Sequence, residues 1–272
     1  MDGFVGRARE LDLLDGLLAA VSSGGRSGRP GKALLLRGRR RVGKSRLVEE
    51  FAVRSGRPHV FFTAVGGSLR QDLAGFAEAL LSSDLPGTTL TPDDVVPQTW
   101  DGAFSLLAQA LPKDATSIVV MDEMPYLVAE DPSFEGSLQK AFDRTLSRLP
   151  VLLILIGSDL GMMEKLNTYG QPFYQRGTEM VVPPLNPAEV AAMLGLDSAD
   201  AFDAFLVTGG LPLILEEWPT GAGLWDYLAT ALKNPTSALL VSGERSSPPS
   251  SPPRRWLTPS WLPSAMGNAP SA

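Results

Sequence analysis

Gly38-Arg39-Arg40-Arg41-Val42-Gly43-Lys44-Ser45 lies between the apolar run Ala33-Leu34-Leu35-Leu36 and the segment Arg46-Leu47-Val48-Glu49-Glu50-Phe51-Ala52. Leu47, Val48 and Phe51 recur at helical spacing. The order is therefore strand, tight loop, helix, with the pattern G-x-x-x-x-G-K-S at the junction. Glycines let the backbone curl round an anion. The inward-turned N–H groups and the helix N-terminus then make a nest of positive potential. In such a loop Lys44 reaches the β- and γ-phosphates and the Ser45 hydroxyl ligates Mg2+. Gly38 through Arg46 are the candidate phosphate-binding residues, and the flanking strand and helix argue against a chance basic turn.

The chain has 272 residues, enough for one large or two small domains with a buried core. Hydrophobic residues make up 44% and charged residues 20%, which suits a globular protein. No apolar run reaches the roughly 18 residues of a membrane span, and Met1-Asp2-Gly3-Phe4 does not begin a signal peptide. A cytoplasmic location is expected. The absence of cysteine excludes disulfides, thiol catalysis and cysteine-ligated zinc. A single histidine, His59, leaves no His cluster for a metal and no Ser-His-Asp triad; it opens a strand-like run and reads as structural. The net charge of −6 argues against broad coating of nucleic acid.

Leu11, Leu14, Leu17 and Leu18 mark an N-terminal amphipathic helix preceded by Phe4-Val5-Gly6-Arg7. That turn either packs the helix on the core or sits beside an adenine base. A polar Gly-rich loop spans Ser22–Gly31, and strands are expected at Val60–Thr63, Ser117–Met121, Val151–Ile156 and Glu179–Val182. Helical patterns fall near Leu69–Leu81, Trp100–Leu111 and Phe134–Leu149, with a Pro- and Asp-containing connection at Pro86–Pro97.

The strand Ser117–Met121 runs into Asp122-Glu123. An apolar run of this kind is a strand buried on both faces, so its carboxylates emerge at the carboxyl edge of a parallel sheet. The phosphate loop occupies the same edge, where doubly wound sheets bind ligands. Asp122 is placed to hold Mg2+ with Ser45, and Glu123 to orient or deprotonate an attacking water. The strand Val151–Ile156 likewise ends in Gly157-Ser158-Asp159. Ser158 either bonds the γ-phosphate or the water, or caps the helix at Gly161–Leu166.

Beyond Pro187 the strands stop, and short helical patterns at Ala188–Leu194, Ala199–Val207, Leu213–Trp218 and Leu224–Leu232 read as a helical lid. The expected division is 1–186 for the α/β domain, 187–245 for the lid and 246–272 for a disordered Pro/Ser-rich tail. The tail carries no acidic residue after Glu244, which raises a frameshift as an alternative origin.

Phe4-Val5-Gly6-Arg7-Ala8-Arg9-Glu10-Leu11, the phosphate loop, Val120–Leu127, Gly157–Met163, Pro172-Phe173-Tyr174-Gln175-Arg176 and Gly209–Pro212 together resemble the archaeal-type P-loop ATPases, close to the AAA+ and STAND classes. The resemblance runs from about Phe4 to Arg245. It implies an α/β fold, a doubly wound parallel sheet in the order 5-1-4-3-2 followed by the lid, with the hydrolytic Glu beside the Walker B Asp. It also implies that Arg176 is a γ-phosphate sensor or arginine finger and that Gly210 and Pro212 read the nucleotide from the lid. In the family a winged-helix region and a truncated nuclease-like domain follow the lid, and the winged helix is expected to be missing or incomplete in this chain. Gln175 departs from the family's glycine at that place.

The expectation is a Mg2+-dependent ATP hydrolase that switches its lid. ATP is favoured over GTP because no guanine-reading Asn-Lys-x-Asp element occurs. Two other readings stay open: a nucleotide-binding switch with little turnover, and a DNA-associated regulatory ATPase. The partner, whether a second copy or another protein, is undetermined, since Arg176 acting in trans requires an oligomer and in cis does not.

Overall fold

The computed structural model describes residues 4–22, 29–87 and 96–241. The centre of the Gly-rich loop, residues 88–95 of the Pro-containing connection and the Pro/Ser-rich tail, with the expectations placed on it, lie outside the described residues. Five parallel strands form one sheet: β1 Lys32–Arg37, β2 His59–Thr63, β3 Ser117–Asp122, β4 Val151–Gly157 and β5 Gly177–Val181. Their order is β2-β3-β4-β1-β5, the expected 5-1-4-3-2 read from the other edge. The inner strands β3 and β4 are buried along their whole length, and β1 all but its ends. Both faces are covered, so these strands are apolar throughout instead of alternating.

Alternate side chains of β1 feed two cores. Leu34 and Leu36, with Ile118, Val120 and Ile154, pack against α1 (Ala8–Ser22) and α2 (Lys44–Ser55) through Leu14, Leu47 and Phe51. Ala33 and Leu35 face the other side. There α3 (Leu69–Leu81), α4 (Trp100–Ala110), α5 (Met124–Glu130), α6 (Phe134–Arg144) and α7 (Leu160–Leu166) cover the sheet. An aromatic cluster fills that layer, with Trp100 edge-on to Phe134 at 4.9 Å between centroids and Phe76 edge-on to Trp100 at 5.7 Å. Truncating such a ring to alanine costs about 3–5 kcal/mol.

After β5 come only helices among the described residues: α8 (Pro187–Leu194), α9 (Ser198–Thr208), α10 (Pro212–Leu215) and α11 (Leu224–Ala231). They gather round their own core of Val190, Leu215, Trp218 and Tyr227, the last two stacked at 4.2 Å. Leu211 touches both this core and the α1/α2 side of the sheet.

Several local expectations change: the strand read as Glu179–Val182 runs Gly177–Val181, and the helix read as Leu213–Trp218 runs Pro212–Leu215. The helix read as Phe134–Leu149 ends at Arg144, because Thr145 (φ −131°, ψ −63°) leaves the helical region before a 3-10 turn at Leu146–Arg148. Helix α5 went unread, since seven residues beginning Met124-Pro125 are too short to show a 3.6-residue period.

Candidate nucleotide site

The strand register brings the carboxyl ends together. Arg37 pairs with Gly157 and Val181, and Thr63 with Asp122, so the phosphate loop, Glu123 and Ser158 leave the sheet along one edge. Gly43 sits in the left-handed region (φ 85°) at the N-terminus of α2, a conformation that glycine reaches without a Cβ clash. No side chain caps α2 and no acidic residue occupies its first turn. Its leading N–H groups and its dipole are left for an anion.

Lys44 is buried beneath the loop, and its ammonium donates to the carbonyls of Gly38 (2.9 Å) and Arg39 (3.1 Å). Burial pushes its pKa down; the carboxylates of Glu123 and Asp122 oppose that, and Arg40 adds to it. The Ser45 hydroxyl donates to Asp122 Oδ2 at 2.5 Å, and the backbone N–H of Glu123 donates to Asp122 Oδ1 at 2.8 Å. Burial pushes the Asp122 carboxyl up, those two hydrogen bonds hold it down, Glu123 raises it further and Lys44 lowers it. Two opposite charges are thus held out of water, each at a cost in its own ionised form.

Glu123 occupies the left-handed region (φ 53°) at the start of α5. The Ser158 hydroxyl lies 3.2 and 3.0 Å from its two carboxylate oxygens and donates its one proton into that carboxylate. The helix after Ser158 is capped by Asp159, whose Oδ1 accepts from the Met162 N–H at 2.9 Å. The structure therefore gives the cap to Asp159 and leaves the Ser158 hydroxyl facing the glutamate.

The other predicted residues fall in three groups. Val42 is buried within the loop, Arg39, Arg40 and Arg46 are exposed, and Arg40 donates to the Tyr126 hydroxyl of α5 at 3.3 Å. Arg41 takes a left-handed backbone (φ 68°). Pro212 approaches the loop: a Cβ on Gly43 would lie 3.7 Å from its Cγ. Gly210, with φ 65°, is pressed against the Leu185 carbonyl, where a Cβ would come within 2.1 Å of the oxygen. Phe4 is half-buried against the α1/α2 core beside Val5 and Gly6. Arg7 is buried, and its guanidinium is bound to the Val42 and Pro183 carbonyls, so it is brought to the back of the loop.

Arg176 is not brought to the site. It immediately precedes β5, whose first residue Gly177 pairs with Ala33 near the start of β1. At about 3.3 Å per residue that is roughly 15–20 Å from Gly38. Its guanidinium is held there, bidentate to Asp143 (both bonds 2.8 Å) and donating to the carbonyls of Pro172 and Tyr174. Within one chain the parallel strands therefore put Arg176 at the edge away from the phosphate loop, whereas the arginine-finger reading in trans concerns a second copy of the chain. Sequence reasoning also missed Glu189. Asn186-Pro187-Ala188-Glu189 carries a capping-box spacing that flags it.

No family model matches the chain. Over 209 residues it is 28% identical to the uncharacterized protein MJECL04 of Methanocaldococcus jannaschii, covering 76% of this chain and 43% of that protein. The chain thus spans less than half the length of the curated relative it matches. Among solved structures, the Walker-type ATPase paby2304 of Pyrococcus abyssi superposes with a TM-score of 0.60 at 21% identity, covering 89% of this chain and 75% of that one. The ORC2 protein of Aeropyrum pernix, solved as ADPNP-ADP complexes, gives 0.52 at 14% identity, covering 72% and 53%. At these identities the likeness is one of fold. The chain shares its fold with this Walker-type ATPase and this ORC2 protein.

Proposed function

We propose that this chain binds ATP with Mg2+ at the phosphate loop, hydrolyses it and uses the change to move its helical lid. The observation that carries the reading is the convergence of Lys44, the Ser45–Asp122 pair and the Ser158–Glu123 pair on one sheet edge. The Ser45 hydroxyl and the Asp122 carboxylate set two hard oxygen donors side by side, the chemistry that suits Mg2+. Bound there, Mg2+ supplies neutralisation of the β- and γ-phosphate charge. Lys44 and the uncapped first turn of α2 hold the phosphates, and those phosphates offset the burial that depresses the Lys44 pKa. Glu123 orients a water and accepts its proton, with Ser158 fixing the carboxylate. Pro212 and Gly210 carry the state of the loop to the lid. Among the described residues no helix is long and apolar enough to cross a membrane, and we place the activity in the cytoplasm.

The test is steady-state Mg2+-ATP hydrolysis by the full chain beside Lys44→Ala and Glu123→Gln. The reading expects Lys44→Ala to lose ATP binding, and Glu123→Gln to bind ATP while losing about 100-fold or more in turnover. Undiminished turnover in Glu123→Gln would sink it.

One observation favours a slower switch as a second reading: both Glu123 oxygens lie within reach of one hydroxyl. Ser158→Ala separates the two. Turnover falls if Ser158 positions the glutamate and rises if it restrains it.

A further inference from the structure

Arg7 stands where the N-terminal segment, the phosphate loop and the lid connection meet. Its backbone is left-handed (φ 63°) and its side chain is only 4% exposed. Nη2 donates to the carbonyl of Val42, two residues before Lys44, at 2.7 Å. Nη1 donates at 2.6 Å to the carbonyl of Pro183, in the link between β5 and α8. The Arg7 backbone N–H donates at 2.7 Å to Glu189 Oε1, on the first turn of α8. Glu189 Oε2 accepts from the Asn186 N–H at 2.8 Å, and the Glu189 N–H donates back to Asn186 Oδ1 at 3.0 Å. One carboxylate therefore closes the capping box of α8 with one oxygen and clamps the N-terminal segment with the other.

We infer that Arg7 and Glu189 are a positioning pair that ties the phosphate loop to the seat of the lid. The guanidinium is a rigid planar fork, so a displaced Val42 carbonyl drags the Pro183 carbonyl or breaks a buried charged hydrogen bond. Glu10, 3.5 Å from Nη1, is the carboxylate paired with this cation, while Glu189 meets Arg7 at its backbone N–H. The held positive charge also lies directly behind the loop, where it adds to the potential that attracts phosphate. Arg7 acts through Val42 and is distinct from the residues that touch the nucleotide. What the tie is used for rests on the proposed ATP cycle; the tie itself does not.

The experiment is hydrogen–deuterium exchange on the full chain without nucleotide, comparing wild type with Glu189→Gln and Arg7→Lys. Glutamine keeps one acceptor oxygen and cannot serve both clamps; lysine keeps the charge and loses the fork. Both variants are expected to speed exchange about fivefold in the first turns of α2, where the Leu47 N–H bonds the Gly43 carbonyl, and in α8. Strands β3 and β4 should be unchanged. A Glu189→Gln effect confined to α8, or one spread evenly over the strands as well, overturns the tie. Titration of wild type with a fluorescent ATP analogue is a separate arm. Failure to bind there counts against the ATP reading and leaves the exchange result to decide the tie.

Discussion

The two ends of the same parallel sheet are built on opposite principles. At the carboxyl end Lys44 and Asp122 are both buried, each pushed toward its neutral form, and Arg41 and Glu123 hold left-handed backbones. At the amino end Arg176 has a bidentate carboxylate, two carbonyls and a partly exposed setting. Burial without full compensation is the setting our proposal assigns to an anion and a cation; the bidentate Asp143 pair and two carbonyls give Arg176 the setting of a brace within its own chain. An arginine's value as a charge depends on which edge of the sheet its strand delivers it to.

The largest effect expected from this contrast is on turnover. Arg176→Ala should leave the hydrolysis rate per folded chain within about threefold, against about 100-fold or more for Glu123→Gln. A loss in Arg176→Ala matching that of Glu123→Gln, measured at a concentration where the chain is monomeric, breaks the contrast. The brace should appear in stability instead. Arg176→Ala and Asp143→Ala should each cost on the order of 1–2 kcal/mol in chemical denaturation, and the double substitution little more than either.

Asp122→Asn should do the reverse, raising the apo melting temperature by about 2–4 °C, which about 1 kcal/mol gives at this size, while abolishing hydrolysis. The sign follows from the raised native pKa of Asp122. The unfolded carboxyl ionises first, so the wild type loses stability as pH climbs from about 4 through the native value. The gain of Asp122→Asn over wild type should therefore vanish at pH 3 and be complete at neutral pH, as calorimetry across that range would show. The smallest effect concerns Gln175, whose φ of 58° strains a side chain. Gln175→Gly relieves that strain but frees the unfolded chain and removes the bond to the Tyr174 hydroxyl. A net gain of about 0.5 kcal/mol is expected by urea denaturation.

Much of this was legible in the chain. The phosphate loop, the strand ending in Asp122-Glu123 and the strand ending before Ser158 each announce themselves by an apolar run stopping at a polar group. Parallel pairing then sends all three to one edge. The strand order came from resemblance, since no local pattern says that β1 lies between β4 and β5. Ser158 was ambiguous because it and Asp159 are both good caps, and only the observed bond from Met162 separates them. The place of Arg176 was not legible, because sequence gives its distance along the chain but not the edge from which β5 starts. The turn at Arg7 left two readings in the sequence because its partners are two backbone carbonyls, which no sequence pattern displays.

The placing of β1 has a consequence during synthesis. β1 is complete by Arg37, yet its two neighbours begin only at Val151 and Gly177. At about 5–20 residues per second the ribosome takes roughly 6–23 s to make the stretch between β1 and β4. Through that interval this interior strand, apolar on both faces, has no permanent partner on either side. A nascent chain of this design should lean on holding factors at the exit tunnel, and pausing before Val151 should lengthen its exposure to aggregation.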